Sequence, residues 1–157
     1  MGVTVSTLVV VPCGKRKIWN RHPSAGPTKA EDVYVGAPFK VNREYAEKYG
    51  SRWVVLSAKY GFIDPDFIIP GNYDVTFKDA STSPISIRKL KEQIKQKGLD
   101  GFDTVVALGG RDYADVVQRA FRGFKVTVKA PVAGLPLGRA MGRVRNVIDE
   151  GHPFHAD

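Results

Sequence analysis

Residues 3–15 read Val-Thr-Val-Ser-Thr-Leu-Val-Val-Val-Pro-Cys-Gly-Lys, and this stretch decides the fold. Its first nine residues are apolar or β-branched almost throughout, a pattern typical of a strand that is covered on both faces, as in a parallel sheet. The run stops abruptly at a Pro-Cys-Gly turn. We therefore predict a buried first strand over 3–11 with a basic turn at its exit.

The same succession of buried strand, small turn and helix recurs along the chain. Residues 63–84, rich in Asp, Pro, Gly and Ser, form a long connection to which we assign no regular structure and which is more typical of a functional loop. Hydrophobic periodicity and the Gly and Pro positions predict further strands at 52–56, 104–108 and 124–128, and helices at 38–49, 86–97, 111–121 and 135–148.

Strands that alternate with helices predict an α/β fold with right-handed crossovers. We expect a single Rossmann-like three-layer domain over 1–150, with a mostly parallel sheet of about four or five strands, and a C-terminal tail over 151–157. Ligands bind such folds beyond the carboxyl ends of the strands. Three of the four predicted strand exits carry Gly together with a basic residue, so the site is expected there.

The composition restricts the class of protein and of ligand. The chain has 157 residues, is 43% hydrophobic and has no apolar run near the roughly 20 residues that span a membrane, so we expect a soluble protein with no membrane partner. Cys13 is the only cysteine, which excludes an internal disulfide and a Cys/His zinc cluster and favours the reducing cytoplasm. The net charge of +8 favours phosphate-bearing partners.

The turn after the first strand is the first candidate site. Its backbone N–H groups and cations are suited to hold a phosphate, although it has neither the Walker nor the GxGxxG spacing. The alternative is a solvated basic turn beside a small buried cysteine. A nucleophilic thiol would need a base, and none is evident in the sequence. The candidate residues of this turn are Cys13, Gly14, Lys15 and Lys17.

Two later strand exits offer similar chemistry. Residues 57–61 (Ser-Ala-Lys-Tyr-Gly) bring a hydroxyl, an ammonium and a phenol, and residues 109–113 (Gly-Gly-Arg-Asp-Tyr) open a helix whose dipole favours an anion. The alternatives are a packed tyrosine beside a solvated lysine, and a tight turn capped by Asp112. The candidates from these two turns are Ser57, Lys59, Tyr60, Gly109, Gly110, Arg111 and Tyr113.

Carboxylates of the long connection are a third kind of candidate. They are suited to bind a metal or to act as a general base, although most loop aspartates only cap turns. Asp74 is foremost because it follows Tyr73 directly, and we predict neither a metal site nor a cofactor. The loop aspartates are Asp64, Asp66, Asp74 and Asp79.

Aromatic and arginine side chains complete the candidate set. Tyr34 is a candidate for stacking on a base, and Arg43, on the first predicted helix, is a candidate for binding phosphate. Arg139 and Arg143 lie one turn apart on the last predicted helix, with a spacing suited to backbone phosphates; the alternative is a solvated helix face.

Four motifs resemble a known group of proteins. They are Cys-Gly-Lys-Arg-Lys at 13–17, Asp-Val-Tyr-Val-Gly at 32–36, Leu-Ser-Ala-Lys-Tyr-Gly at 56–61 and Pro-Gly-Asn-Tyr-Asp at 70–74. Their order resembles a family of small bacterial, archaeal and phage proteins of unknown function, distantly related to the peroxide-stress proteins of the YaaA family. The resemblance implies an α/β core with a basic cleft, DNA binding and protection from oxidative damage. This chain is much shorter than YaaA proteins, so the resemblance does not cover the helical part that they use on DNA.

Three functional hypotheses follow from these residues. The first is a nucleic-acid or nucleotide-binding protein, in which Lys15, Lys17, Lys59 and Arg111 hold phosphate while Tyr34, Tyr60 or Tyr73 stacks on a base. The second is an enzyme that cleaves or exchanges an N-glycosidic bond, with Asp74 as acid/base or nucleophile and Lys59 and Tyr60 placing the sugar phosphate. The third is a protein interaction domain. The oligomeric state stays open.

Overall fold

A computed structural model describes residues 6–156. Besides three short 3-10 turns at Ala80–Thr82, Leu99–Gly101 and Phe154–Ala156, it contains seven strands and six helices in these residues. In chain order these are β1 (Thr7–Pro12), α1 (Ile18–Arg21), β2 (Thr28–Lys29), α2 (Ala30–Val33), α3 (Ala37–Tyr49), β3 (Arg52–Ser57), β4 (Gly61–Ile63), β5 (Ile68–Ile69), α4 (Ile87–Lys97), β6 (Thr104–Ala107), α5 (Arg111–Phe121), β7 (Thr127–Lys129) and α6 (Leu137–Glu150).

The main sheet has five strands in the order β4-β3-β1-β6-β7. The four strands β3, β1, β6 and β7 are parallel, and β4 pairs antiparallel with β3 at one edge. In the central strand, Val10 stands beside Val54 of β3 and Ala107 of β6. The predicted three-layer α/β fold with a mostly parallel sheet is confirmed, and the central position of β1 explains its uninterrupted apolar run.

Helices cover both faces of the sheet. Because side chains alternate along a strand, Leu8 and Val10 point into one core layer with α4 and α5, and Val9 and Val11 point into the other with α3 and α6. All four side chains are buried. Within residues 6–156, no helix is long and apolar enough to cross a membrane.

The segment between β1 and α3 and the segment after β3 contain structure that we did not predict. Strand β4 follows the turn after β3. Instead of a second strand, it has the side chain of Gln93 from α4 beside it, which accepts from the amide of Phe62 at 2.8 Å and donates to the carbonyl of Tyr60 at 2.9 Å. Strands β2 and β5 form a separate two-stranded antiparallel sheet. Short helices α1 and α2 were also missed, because four-residue helices lack a readable period.

Differences from the predicted limits concern the first strand, the last strand and the C-terminal tail. Val3 to Val5, which we placed in the first strand, lie outside the described residues. The last strand begins at Thr127 rather than at Phe124, because Gly123, with φ of +95°, and the bond from the Phe124 amide to the Phe121 carbonyl (3.0 Å) prolong the turn after α5. The tail folds back: Phe154 is buried, and its amide donates to the hydroxyl of Tyr45 at 2.9 Å.

Candidate functional site

The chain changes direction across the sheet at β1. It passes from β1 to β3 on one side and later enters β6 on the other, so the connections that leave the carboxyl ends of β1 and β6 diverge. Such a switch point opens a crevice in which α/β proteins bind their ligands. A cleft of about 700 Å³ lies here, which we call the first cleft, and its floor comprises Pro12, Cys13, Gly14, Gly109, Gly110 and Tyr113.

The floor of the first cleft joins the two strand exits through one side-chain contact. The Sγ atom of Cys13 lies 3.2 Å from the hydroxyl of Tyr113, in the first turn of α5. Burial, and then the negative charge that Cys13 carries as a thiolate, raises the pKa of the Tyr113 phenol well above its ordinary value. The phenol therefore keeps its proton at neutral pH and can donate to the sulfur.

A glycine allows β1 and the start of α5 to approach each other. Gly109 has φ of +103°, and a Cβ atom at this position would lie 2.6 Å from Cγ of Pro12. Gly110, the residue that precedes α5, has φ of −77° and open space around it. The first glycine is therefore required by the backbone, whereas the second leaves the amino-terminal N–H groups of α5 uncovered.

Cations form part of the lining of the first cleft. All are exposed, and none forms an ion pair with another described residue. Arg111 stands at the start of α5, where its charge adds to the positive end of the helix dipole. These cations are suited to an anion, and Asp112, which follows Arg111 in the first turn of α5, is the one carboxylate in the lining. The lining cations are Lys15, Arg16, Lys78 and Arg111.

Apolar side chains form another part of the lining of the first cleft, which we call the apolar wall. Leu135 and Leu137 are 38% and 63% exposed at its mouth, which is unusual for large apolar side chains. The wall continues inward to Phe39 of α3, which is buried. Its members are Pro38, Phe39, Val132, Leu135, Leu137, Ala140 and Met141.

A second cleft of about 720 Å³ lies on the other side of the turn after β1. It shares Lys15 and Arg16 with the first cleft, so the two clefts are neighbours. Asp74, the foremost carboxylate of the sequence, is exposed and lines this second cleft. The lining residues are Lys15, Arg16, Lys17, Asn20, Arg21, Val35, Asn72, Tyr73 and Asp74.

A buried network of hydroxyl groups supports the second cleft from below. The hydroxyl of Tyr73 is hydrogen-bonded to that of Tyr34 and lies 3.0 Å from Oγ of Ser57. Ser57 also accepts from the amides of Lys59 and Tyr60, at 3.2 and 3.1 Å, and thereby closes the turn after β3. Burial raises the pKa of Tyr34 and of Tyr73, so both phenols stay protonated.

This network corrects two of our expectations. Tyr34 is 2% exposed and packs against Phe39 with 5.1 Å between ring centroids, so it is not accessible to a base. Ser57 is fully buried, and its hydroxyl is engaged within the fold. Both residues shape the site without lining it. Tyr73, 8% exposed, is the member of the network that reaches the second cleft.

Lys17 also differs from a solvated lysine. It is 8% exposed and lines the second cleft, and its Nζ atom lies 4.6 Å from the centroid of the Tyr73 ring. Burial lowers the pKa of Lys17, against the opposing effects of the negative charges of Cys13 and Asp74. The ammonium group forms no ion pair with any of residues 6–156.

Several other predicted residues lie outside the linings of both clefts, namely Lys59, Tyr60, Arg43, Arg139, Arg143, Asp64, Asp66 and Asp79. Lys59 is exposed, with Nζ 5.3 Å from the ring centroid of Tyr60 and 5.7 Å from that of Tyr73. Arg43 is neutralised within the fold, because it pairs with Glu47 at 3.1 Å and with two further carboxylates. Arg139 is exposed in the first turn of α6 but is absent from the linings.

Sequence reasoning missed the residues that come from distant loops and from α3. Lys78 lies in the long connection, and the wall residues come from two separate segments, Phe39 from α3 and Val132 and Leu135 from the loop before α6. Only Leu135 and Leu137 carry a signal, since two leucines around Pro136 stand apart from the apolar face of the last helix. The remaining positions become neighbours only in the folded chain.

Comparison with known proteins gives a family match. Residues 8–146 match a family of unknown function, DUF6884. The chain belongs to this family. It is also 35% identical over 146 residues to the uncharacterized protein YfjM of Bacillus subtilis (strain 168), a match that covers 92% of this chain and 97% of that protein. No solved structure matches the chain. Neither match shows a relation to YaaA proteins, so that resemblance stays a prediction from motifs.

Proposed function

We propose that the chain binds a nucleotide, free or as one unit of a nucleic acid, in the first cleft. The observation that carries this proposal is a single cleft whose lining combines exposed apolar side chains with cations that pair with no described residue, one of them at a helix amino terminus. A nucleotide has this same division into a flat apolar base and an anionic phosphate. The cleft volume of about 700 Å³ is also typical of small-ligand sites.

The phosphate belongs at the start of α5. Helix α5 has eleven residues, and its first amides stand beside Gly110, whose missing side chain leaves room for a ligand. Backbone N–H groups, the helix dipole and the guanidinium of Arg111 then act on the same anion. Lys15, at the opposite strand exit, supplies a further charge.

The base belongs against the apolar wall. Leu135 and Leu137 expose apolar surface at the mouth of the cleft, and a bound base would remove part of it from water. The net charge of +8 favours the approach of a polyanion. The motif resemblance to YaaA proteins also favours a nucleic-acid ligand and a role in DNA protection under stress.

The test is a binding titration with two arginine variants of the same helix. Nucleoside 5′-monophosphates and a short single-stranded DNA are titrated at two salt concentrations against the wild type, Arg111→Met and Arg119→Met. Arg119 is exposed at the far end of α5 and pairs with Asp115 at 3.8 Å, so its loss removes the same charge away from the cleft.

We expect Arg111→Met to weaken binding about tenfold and to lower the salt slope by about one. Arg119→Met should stay within about twofold of the wild type, because long-range charge effects are screened over roughly 10 Å. Equal losses in both variants, or no binding at low salt, would contradict the proposal.

A second candidate is an enzyme that acts on a nucleotide or a nucleobase. The observation in its favour is the position of Asp74 in the second cleft, beside cations suited to a substrate phosphate. Lys59 and Tyr60 line neither cleft, so this candidate rests on Asp74 without them.

Mass spectrometry of nucleic acid incubated with the wild type and with Asp74→Asn distinguishes this enzyme from a binding protein. An enzyme would release a base that the variant does not, whereas a binder would release none and its variant would bind equally or more tightly.

A further inference from the structure

The side chain of Lys17 is largely buried although it ends in an ammonium group. The residue is 8% exposed, and its Nζ atom contacts the face of the Tyr73 ring at 4.6 Å. A cation–π contact of this kind offsets only part of the cost of removing an ammonium from water. Within residues 6–156 it forms no ion pair.

The charges around Lys17 do not offset the cost of its burial, because the negative charges of Cys13 and Asp74 oppose the lowering of its pKa without reversing it. A methionine or leucine of similar length would cover the Tyr73 ring equally well and would avoid the desolvation cost. The Lys17 side chain instead lines the second cleft, together with the Tyr73 ring that its Nζ atom contacts. A buried cation that faces a cleft is suited to an anion from outside the chain.

The surroundings of Lys17 favour the same kind of ligand. The second cleft contains four cations and one carboxylate, Asp74. Asn20 and Asn72 add side-chain amides. None of the four cations forms an ion pair with a described residue. They all come from one short segment, and they are Lys15, Arg16, Lys17 and Arg21.

We propose that the second cleft binds the next phosphate of a single-stranded polynucleotide whose neighbouring nucleotide occupies the first cleft. This inference rests on the proposed function and specifies its ligand. The two clefts share Lys15 and Arg16, so an occupant of one directly adjoins an occupant of the other. Successive nucleotides of one strand meet this condition.

The ligand is single-stranded because of the wall of the first cleft. Bases in a duplex are stacked and paired, so their faces are inaccessible. Only an unpaired base can lie against Leu135 and Leu137. The second cleft has no comparable apolar wall, and it therefore contributes to affinity through the phosphate rather than through the base.

The experiment varies the length of the ligand and the charge at one position. A nucleoside 5′-monophosphate, a 5′-phosphorylated dinucleotide, a single-stranded ten-nucleotide DNA and its duplex are titrated against the wild type, Lys17→Met and Lys17→Arg. Lys40→Met is the matched control, because Lys40 is exposed on α3 and lines neither cleft. Urea unfolding of Lys17→Met, expected to match the wild type or exceed its stability, shows that the variant is folded.

We expect the wild type to bind the dinucleotide and the single strand at least about tenfold more tightly than the monophosphate. Lys17→Met should remove most of this gain, lower the salt slope for the single strand by about one, and leave the monophosphate within about twofold. Lys17→Arg should restore the salt slope, and Lys40→Met should change none of these values.

Three outcomes overturn the inference. They are equal affinity for the monophosphate and the dinucleotide, a Lys17→Met single-strand affinity equal to that of the wild type, and duplex binding as tight as single-strand binding. These outcomes differ from a failure of the proposed function, in which Arg111→Met leaves binding of every ligand unchanged. If inorganic diphosphate displaces the single strand from the wild type but not from Lys17→Met, the second cleft is a site for free phosphate groups instead.

Discussion

The two clefts adjoin each other but are built in different ways. The first lies between regular elements: the exit of β1, the start of α3, the start of α5 and the first turns of α6. The second is formed largely by residues 15–21 and 72–74, and a buried set of hydroxyl groups supports it. Backbone sterics therefore fix the shape of the first cleft, whereas side-chain hydrogen bonds fix the shape of the second.

The linings of the two clefts also differ in their chemical character. The first cleft combines an apolar wall with exposed cations, and the second combines polar groups with the buried ammonium of Lys17. The comparison shows how one basic turn serves two environments, since Lys15 and Arg16 belong to both linings while Lys17 belongs to the second alone. Variants that alter the structural support of only one cleft at a time test this contrast.

The largest effect is expected from Gly109→Ala. The position has φ of +103°, and the new Cβ would lie 2.6 Å from Cγ of Pro12, so the strand exit and the helix must separate. We expect a loss of about 2–4 kcal/mol in the free energy of unfolding, from backbone strain and overpacking together. Urea unfolding measures it.

Gly110→Ala is the matched control for this variant. Its φ is −77° and its Cβ would meet no atom within 4 Å, so we expect a change of less than about 1 kcal/mol. If the two alanine variants were equally stable, the first cleft would not depend on the close approach of β1 and α5.

A smaller loss is expected from Tyr73→Phe, which tests the support of the second cleft. The change removes a hydroxyl that contacts both Tyr34 and Ser57, and it leaves two buried polar groups with fewer partners. We expect a loss of about 1–2 kcal/mol in the free energy of unfolding. Tyr60→Phe is the control, because the Tyr60 hydroxyl has no hydrogen-bond partner within residues 6–156. A Tyr73 variant as stable as this control would show that the network does not support the cleft.

The contrast between the clefts also explains how far the sequence could be interpreted. The strands β1, β3 and β6 were predicted because central parallel strands are apolar on both faces, and α5 was predicted with its observed limits. Strand β4 was missed because its three residues carry no periodic pattern. Besides its pairing with β3, it is held by the distant Gln93, which the local sequence does not indicate.

The candidate site, like the fold, could be predicted from the sequence only in part. The glycines and cations at the exits of β1 and β6 were identified because strand ends of a parallel sheet meet at one edge. Arg43 and Arg111 are equivalent as residue types, but the carboxylates around Arg43 neutralise it and those around Arg111 do not. Tyr34 and Tyr73 are likewise both buried in one network, but only Tyr73 lines a cleft, which is a property of the folded chain.

The smallest effect is expected from Tyr113→Phe, which removes the contact with Cys13 across the floor of the first cleft. We expect a loss of about 1 kcal/mol in the free energy of unfolding at pH 8. Burial, together with Cys13, raises the pKa of Tyr113, so the folded chain keeps a proton that the unfolded chain releases above about pH 10. The folded state then binds more protons than the unfolded state, and its stability falls as the pH rises through this range.

Tyr113→Phe has no such proton to retain and therefore loses less stability than the wild type in alkali. We expect the difference between the two proteins, measured by urea unfolding, to narrow by about 1 kcal/mol between pH 8 and pH 11. The buried phenols of Tyr34 and Tyr73 titrate in both proteins and cancel from the comparison. Parallel pH profiles for the two proteins would show that Tyr113 has an ordinary pKa and that the floor of the first cleft is open to water.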